Sequence, residues 1–153
     1  MRNQVKYTVS IKGRDEGKTY LITEFSADKG ERFAAKVFFA ILNAGIKLPE
    51  NIEKTAMENI ALIGFDAICA ALSKVRYEDV EPIFNEMMEG IEFIPDITRL
   101  ELSRKLLPDD IEEISTRLML RKEVWKINTS FFEAVTGMNL SGSNHGKTET
   151  ATT

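Results

Sequence analysis

Polar and apolar residues alternate near the start of the chain. Val5, Tyr7, Val9 and Ile11 are separated by Lys6, Thr8, Ser10 and Lys12, a period of two that predicts a half-buried strand. The segment TYLITEF (19–25) is rich in β-branched and aromatic residues and reads as a second strand. Between them lies the turn-rich GRDEGK, bounded by Gly13 and Gly17. Two such strands joined through a short loop form an antiparallel hairpin over 5–25.

The period then changes. Ser26 stands as an N-cap before ADKGERFAAKVFFAILNAG, with Asp28 in the first turn and Gly45 at the stop. Phe33, Val37 and Ile41 share one face, and Ala34, Phe38 and Leu42 lie beside it. Phe39 makes the middle of this helix apolar nearly all round, as expected of a helix central to the core or pressed against another subunit. A second helix is expected from near Ile52 to Val75, because Met57, Ile60, Ala61, Gly64, Phe65, Ile68 and Leu72 fall at three- and four-residue steps. A third covers 78–90, with Pro82 expected in its first turn. IEFIP (91–95) reads as a short strand, and 98–106 either pairs with it or stays irregular.

Pro108, Asp109 and Asp110 mark the start of the last helix, and Gly137 its stop. Ile111, Ile114, Leu118, Trp125 and Phe132 line one face. Leu120, Val124, Ile127, Phe131 and Val135 line another. Two stripes exceed what a single small core requires, so the second is expected to contact a protein partner. From Met138 to Thr153 the chain is rich in Ser, Gly and Thr with no apolar period, and this tail is expected to be disordered. The expected architecture is therefore α+β and mainly α: an N-terminal β-hairpin (5–25) and a part of about four helices (26–137), with an optional short second strand pair. Residues 1–137 make one globular domain and 138–153 its tail.

Composition narrows the function. With 43% hydrophobic and 29% charged residues over 153 positions, the chain can bury a modest core. A net charge of −4 argues against electrostatic attraction to nucleic acid. A helix-turn-helix around NAGIKLPEN would be followed by Glu50, Glu53 and Glu58, where recognition needs Arg, Lys, Asn or Gln. The lone Cys69 cannot form an intramolecular disulfide, which suits a reducing, cytosolic setting. Its surroundings, IALIGFDAICAAL, are shorter than the roughly 20 residues a bilayer requires and carry Asp66. The alternating N-terminus lacks the apolar run of a signal peptide, so no membrane association is expected.

Gly13, Gly17, Lys18 and Thr19 invite comparison with a phosphate-binding loop. That motif needs four residues between its glycines and must open a helix; here three intervene, and Thr19 feeds a strand. Asp15 and Glu16 would also repel phosphate, so the loop is read as a hairpin turn. The single His145 lies in the tail, whereas catalysis demands held geometry. One His and one Cys cannot assemble the usual zinc ligand sets. Asp109, Asp110, Glu112 and Glu113 are explained by a helix N-terminus, with Glu113 placed to pair with Arg117. Asp66, among Ile63, Phe65 and Ile68, must find a partner or face solvent. No catalytic, cofactor-binding or metal-ligating set emerges, and the chain is expected not to be an enzyme.

The order of three segments carries a resemblance. IKGRDEGKTYLITEFSADKGERFAAKVFFAILNAGI, then DVEPIFNEMMEGIEFIP, then LPDDIEEISTRLMLRKEVWKINTSFF resembles the tail assembly chaperones of long-tailed bacteriophages over roughly residues 6–135. The resemblance implies binding of the tape measure protein, which is kept soluble, and recruitment of major tail tube subunits. It further implies a host-cytoplasmic protein absent from the finished virion. A homo-oligomer without cofactor is expected, with client contact through Leu120, Val124, Ile127, Phe131 and Val135. Met57, Met87, Met88 and Met119 would suit an adaptable binding surface or simply fill the core. A structural protein of the tail or head connection, and a small acidic regulatory partner, are the alternative readings.

Overall fold

The computed structural model describes residues 1–45 and 65–143, with the side chains of the last helix described as far as Thr129. Strands β1 (Gln4–Thr8) and β2 (Thr19–Thr23) form the expected hairpin, with Val5 opposite Ile22 and Tyr7 opposite Tyr20. Beyond the strands, the Val9 N–H donates to the Lys18 carbonyl at 3.0 Å and the Gly17 N–H to the Val9 carbonyl at 2.9 Å. Gly17 adopts φ +82°, a left-handed conformation open to glycine without steric cost. The first strand is shorter and less buried than its alternation predicts. It lies at a sheet edge with a neighbour on one side only, so Val5 and Ile11 stay exposed and Val9 alone of the four is buried.

The hairpin is not isolated. β2 also pairs with β3 (Ile91–Ile94), and β3 pairs with the two-residue β4 (Arg104–Lys105), giving one antiparallel sheet in the order β1-β2-β3-β4. The expected second strand pair thus completes the first sheet. Most of 98–106 stays irregular, including a 3₁₀ turn at Leu100–Leu102. The pairing register sets Tyr7, Tyr20, Ile22, Ile91 and Phe93 on one face, and helices cover it; Tyr20 and Ile22 are fully buried.

Helix α1 (Ala27–Asn43) has the expected ends: the Ser26 Oγ accepts the Lys29 N–H at 3.3 Å, and Gly45 follows with φ +75°. Of the helix expected over 52–75, the described residues show α2 (Phe65–Leu72), which ends three residues before the expected Val75, in a turn over 73–75. Met57, Ile60, Ala61 and Gly64 lie outside the described residues. Helix α3 (Tyr77–Met88) places Pro82 in its second turn and not its first. The bond this proline forgoes would reach the carbonyl of Glu78, an exposed residue where water can replace it.

Helix α4 (Ile114–Ser143) departs most from expectation. It begins at Ile114, because Pro108–Asp110 closes as a 3₁₀ turn in which the Asp110 carboxylate accepts the Leu107 N–H at 2.7 Å. Residues 111–113 are not helical. The helix also runs through Gly137, where an interior glycine costs only about 1 kcal/mol relative to alanine. Residues 138–143, expected to be disordered, are therefore helical; 144–153 lie outside the described residues.

The fold is α+β and mainly α, with four helices and a four-stranded antiparallel sheet among the described residues. Its core joins Tyr20 and Ile22 of the sheet to Val37 and Ile41 of α1, Ile68 of α2, Ile83 and Met87 of α3, and Leu120 and Val124 of α4. Ion pairs Lys29–Glu89 (2.7 Å) and Lys36–Glu86 (2.8 Å) tie α1 to the α3 end of the fold.

Candidate interaction surface

The hairpin loop that looked like a phosphate cradle meets the approach to α4. Asp15, 1% exposed, is at the centre. Its Oδ1 accepts the Glu112 N–H at 3.0 Å, and its Oδ2 accepts the Glu113 N–H at 2.9 Å. Lys18 Nζ donates to Asp15 at 2.8 Å and to the Glu112 carboxylate at 2.9 Å. Thr116, buried in the first turn of α4, also favours the charged form of Asp15. A helix N-terminus attracts anions through its free N–H groups and its dipole. Here the chain's own carboxylate takes that position.

Burial alone would raise the Asp15 pKa, but the bonds from Lys18, Glu112, Thr116 and Glu113 outweigh it and hold the carboxyl well below the usual range. The same bonds to Asp15 and Glu112 push the Lys18 ammonium up. Tyr20 donates its hydroxyl to the Asp110 carbonyl at 2.8 Å. Its pKa is pushed up to about 12 by burial and by the Asp15 charge. Asp110 accepts in turn from both terminal guanidinium nitrogens of Arg104 at 2.7 Å, the main cause of its lowered pKa.

The acids expected to serve the helix dipole are thus used otherwise. None lies in the first turn of α4. Asp110 caps its own 3₁₀ turn, and Glu113 turns to the hairpin loop instead of Arg117. Glu113 Oε1 accepts the Arg14 N–H at 3.1 Å and fills the space beside Gly13, where an added Cβ would lie 2.7 Å from its oxygens. All these partners are satisfied within the fold, so the cluster is a clasp and offers no vacant chemistry.

Cys69 is partly buried, and burial, then the Asp66 charge, pushes its thiol pKa up, away from the reactive thiolate. Asp66 itself faces solvent. Among the described residues no group of His, Cys, Asp and Glu is arranged to hold a metal ion, and no helix is long and apolar enough to cross a membrane. His145 lies outside the described residues.

The stripe expected to meet a client faces the other way. Leu120, Val124 and Ile127 are 0%, 1% and 7% exposed and belong to the chain's own core, so they do not form an open surface in the isolated chain. The side chains of Phe131 and Val135 are outside the described residues. The physical reason is that α4 lies across the sheet and α3, and the Leu120–Val124–Ile127 side meets them. Trp125 and Ile111 of the other stripe are buried as well, but Ile114 is 79% and Leu118 53% exposed. Met87 and Met88 also fill the core.

Exposed apolar residues occur elsewhere too. Phe39 and Leu42 protrude from the end of α1, and Tyr77 from the start of α3. Between these helices lies an open groove of about 580 Å³, flanked by Phe39, Ala40, Val75, Pro82 and Ile83 and rimmed by Lys36, Lys74 and Glu78. Ile97, Leu100, Leu102 and Leu107 are exposed around β4. Single exposed apolar residues are ordinary, whereas several on one element mark contact surfaces. Sequence reasoning missed the Asp15 clasp entirely; the one local signal was the Asp15–Lys18 spacing, which gives no hint of a partner 97 residues away.

No family model, curated protein or solved structure matches the chain.

Proposed function

We propose that this chain is a tail assembly chaperone of a long-tailed bacteriophage, which binds the tape measure protein, keeps it soluble and helps recruit tail tube subunits. The observation that carries this reading is the joining of two of the segments on which the resemblance rests. GRDEGK and LPDDIEE are far apart in the chain, yet Asp15, Arg14 and Lys18 bond directly to Glu112 and Glu113. Motifs that are one structural unit support a shared fold better than separate short likenesses would.

The role is binding without catalysis. Exposed Ile114, Leu118, Tyr77 and Phe39 supply apolar contacts of the kind an amphipathic client helix uses, while the acidic balance of the chain opposes aggregation of the complex. Co-expression with the long tape measure protein of the same genome tests the proposal. Soluble co-purification of a client that is insoluble alone is the expected result. Failure to associate, together with appearance of the chain in mass spectra of purified particles, would replace it with a structural role in the virion.

A further inference from the structure

The eight arginines of the chain divide unevenly. Arg14, Arg32, Arg76, Arg99 and Arg104 each hold a carboxylate. Arg2 stands near the N-terminus. Arg117 and Arg121 lie one turn apart on α4, and neither forms an ion pair with a carboxylate among the described residues. In a chain with four more acids than bases, two adjacent guanidiniums with no carboxylate partner among the described residues call for explanation.

Arg121 is held in place. Its guanidinium stacks over the Phe84 ring at 4.7 Å, and its Nε is buried without a hydrogen-bond partner among the described residues. Burial, then the neighbouring Arg117 charge, holds its pKa below the ordinary arginine value. Ile114, Arg117, Leu118 and Arg121 occupy positions i, i+3, i+4 and i+7 and so share one face of α4. Ile114 and Leu118 are mostly exposed, and Lys122, one turn beyond Leu118, is exposed as well. Tyr77, 71% exposed, reaches close enough to affect Arg121.

We infer that this stripe seats an acidic amphipathic helix of a protein partner, whose carboxylates pair with Arg117 and Arg121 and whose apolar side covers Ile114 and Leu118. Charge complementarity selects the occupant. Two guanidiniums one turn apart match acids at positions i and i+4 of a facing helix, and the planar fork suits carboxylates in bidentate geometry. A guanidinium already desolvated against Phe84 and immobilised there loses less on pairing than a free side chain would. Ile114 and Leu118 supply the apolar anchors of helix recognition. The inference rests on the reading of the chain as a binder of helical clients.

Titration calorimetry of the full chain tests it, with a designed helical peptide of about 20 residues carrying a leucine stripe flanked by Glu pairs, and a counterpart with Lys at the Glu positions. The acidic peptide is expected to bind at least about tenfold more tightly and to weaken with added salt. Arg117→Gln with Arg121→Gln is expected to abolish that preference, and the two Arg→Lys changes to retain part of it. Arg117→Gln alone leaves the Arg121–Phe84 contact in place and serves if the double variant fails to fold. Equal binding of both peptides, or wild-type binding by folded Gln variants, would overturn the inference. So would loss of self-association in those variants without any peptide binding, which would give the stripe to a second copy. If the Gln variants capture the tape measure protein as well as wild type does, the inference fails and the chaperone reading stands. If wild type binds the acidic peptide but not the tape measure protein, the chaperone reading fails alone.

Discussion

Asp15 and Glu112 are 97 residues apart in sequence, and the carboxylate of the first accepts the backbone N–H of the second at 3.0 and 3.1 Å from its two oxygens. Replacing Asp15 by alanine strands the N–H groups of Glu112 and Glu113 and leaves Lys18 without its buried partner. The expected loss is about 2–4 kcal/mol of stability. The pH dependence follows from the lowered pKa. An unfolded Asp titrates at about 3.9, and folded Asp15 well below it, so its contribution is complete above about pH 5 and falls as the pH drops below about 4. Asp15→Asn should flatten that acid limb. Denaturant melts of both variants between neutral and acid pH check this, and an unchanged acid limb in Asp15→Asn would contradict it.

The two loop glycines should respond differently to alanine. Gly17 has open space around it but φ +82°, so Gly17→Ala is expected to cost about 1–2 kcal/mol through backbone strain. Gly13→Ala instead collides with the Glu113 carboxylate. It should lose the Arg14 N–H bond while Glu113 swings outward, and Glu113→Ala introduced beside it should recover most of the steric loss. Thermal melts of the three variants separate strain from collision.

Opposite sides of α4 carry opposite expectations. Leu120→Ala empties a fully buried site and should cost about 2–5 kcal/mol. Ile114→Asp and Leu118→Asp alter exposed positions and should change stability by no more than about 0.5 kcal/mol while weakening client capture. Chemical denaturation paired with the co-expression assay reads both. A stable Leu120→Ala protein with lost client binding would reverse the assignment of the two sides.

Cys69 should react slowly. Its raised pKa and partial burial lower the thiolate fraction and the access of an alkylating agent. Labelling by iodoacetamide at pH 8 is expected to be slower than for a small-molecule thiol. In denaturant the two rates should converge.

Much of the helical part was legible because its signals are local. Ser26 and Gly45 bracket α1 as capping rules predict, and the β-branched and aromatic content of 19–25 marks β2. The start of α4 was misread because Pro108, Asp109 and Asp110 satisfy a helix-start rule that a 3₁₀ turn satisfies equally. The two stripes of α4 have the same spacing, and spacing alone does not say which meets the core. The role of Asp15 was not legible, because a hydrogen bond to a backbone amide depends on where the chain returns and leaves no mark on the sequence of either segment.

The position of β2 between β1 and β3 has a consequence for synthesis. A ribosome adds about 5–20 residues per second, so Asp15 emerges on the order of 5–20 s before the amides it will bind. Until β3 emerges β2 has one neighbour and its second edge is uncovered, and the face destined for α4 stays uncovered longer still. The N-terminal hairpin therefore waits for the far end of the domain, and a nascent chain stopped short of Ile91 presents the open edge of β2 to its surroundings.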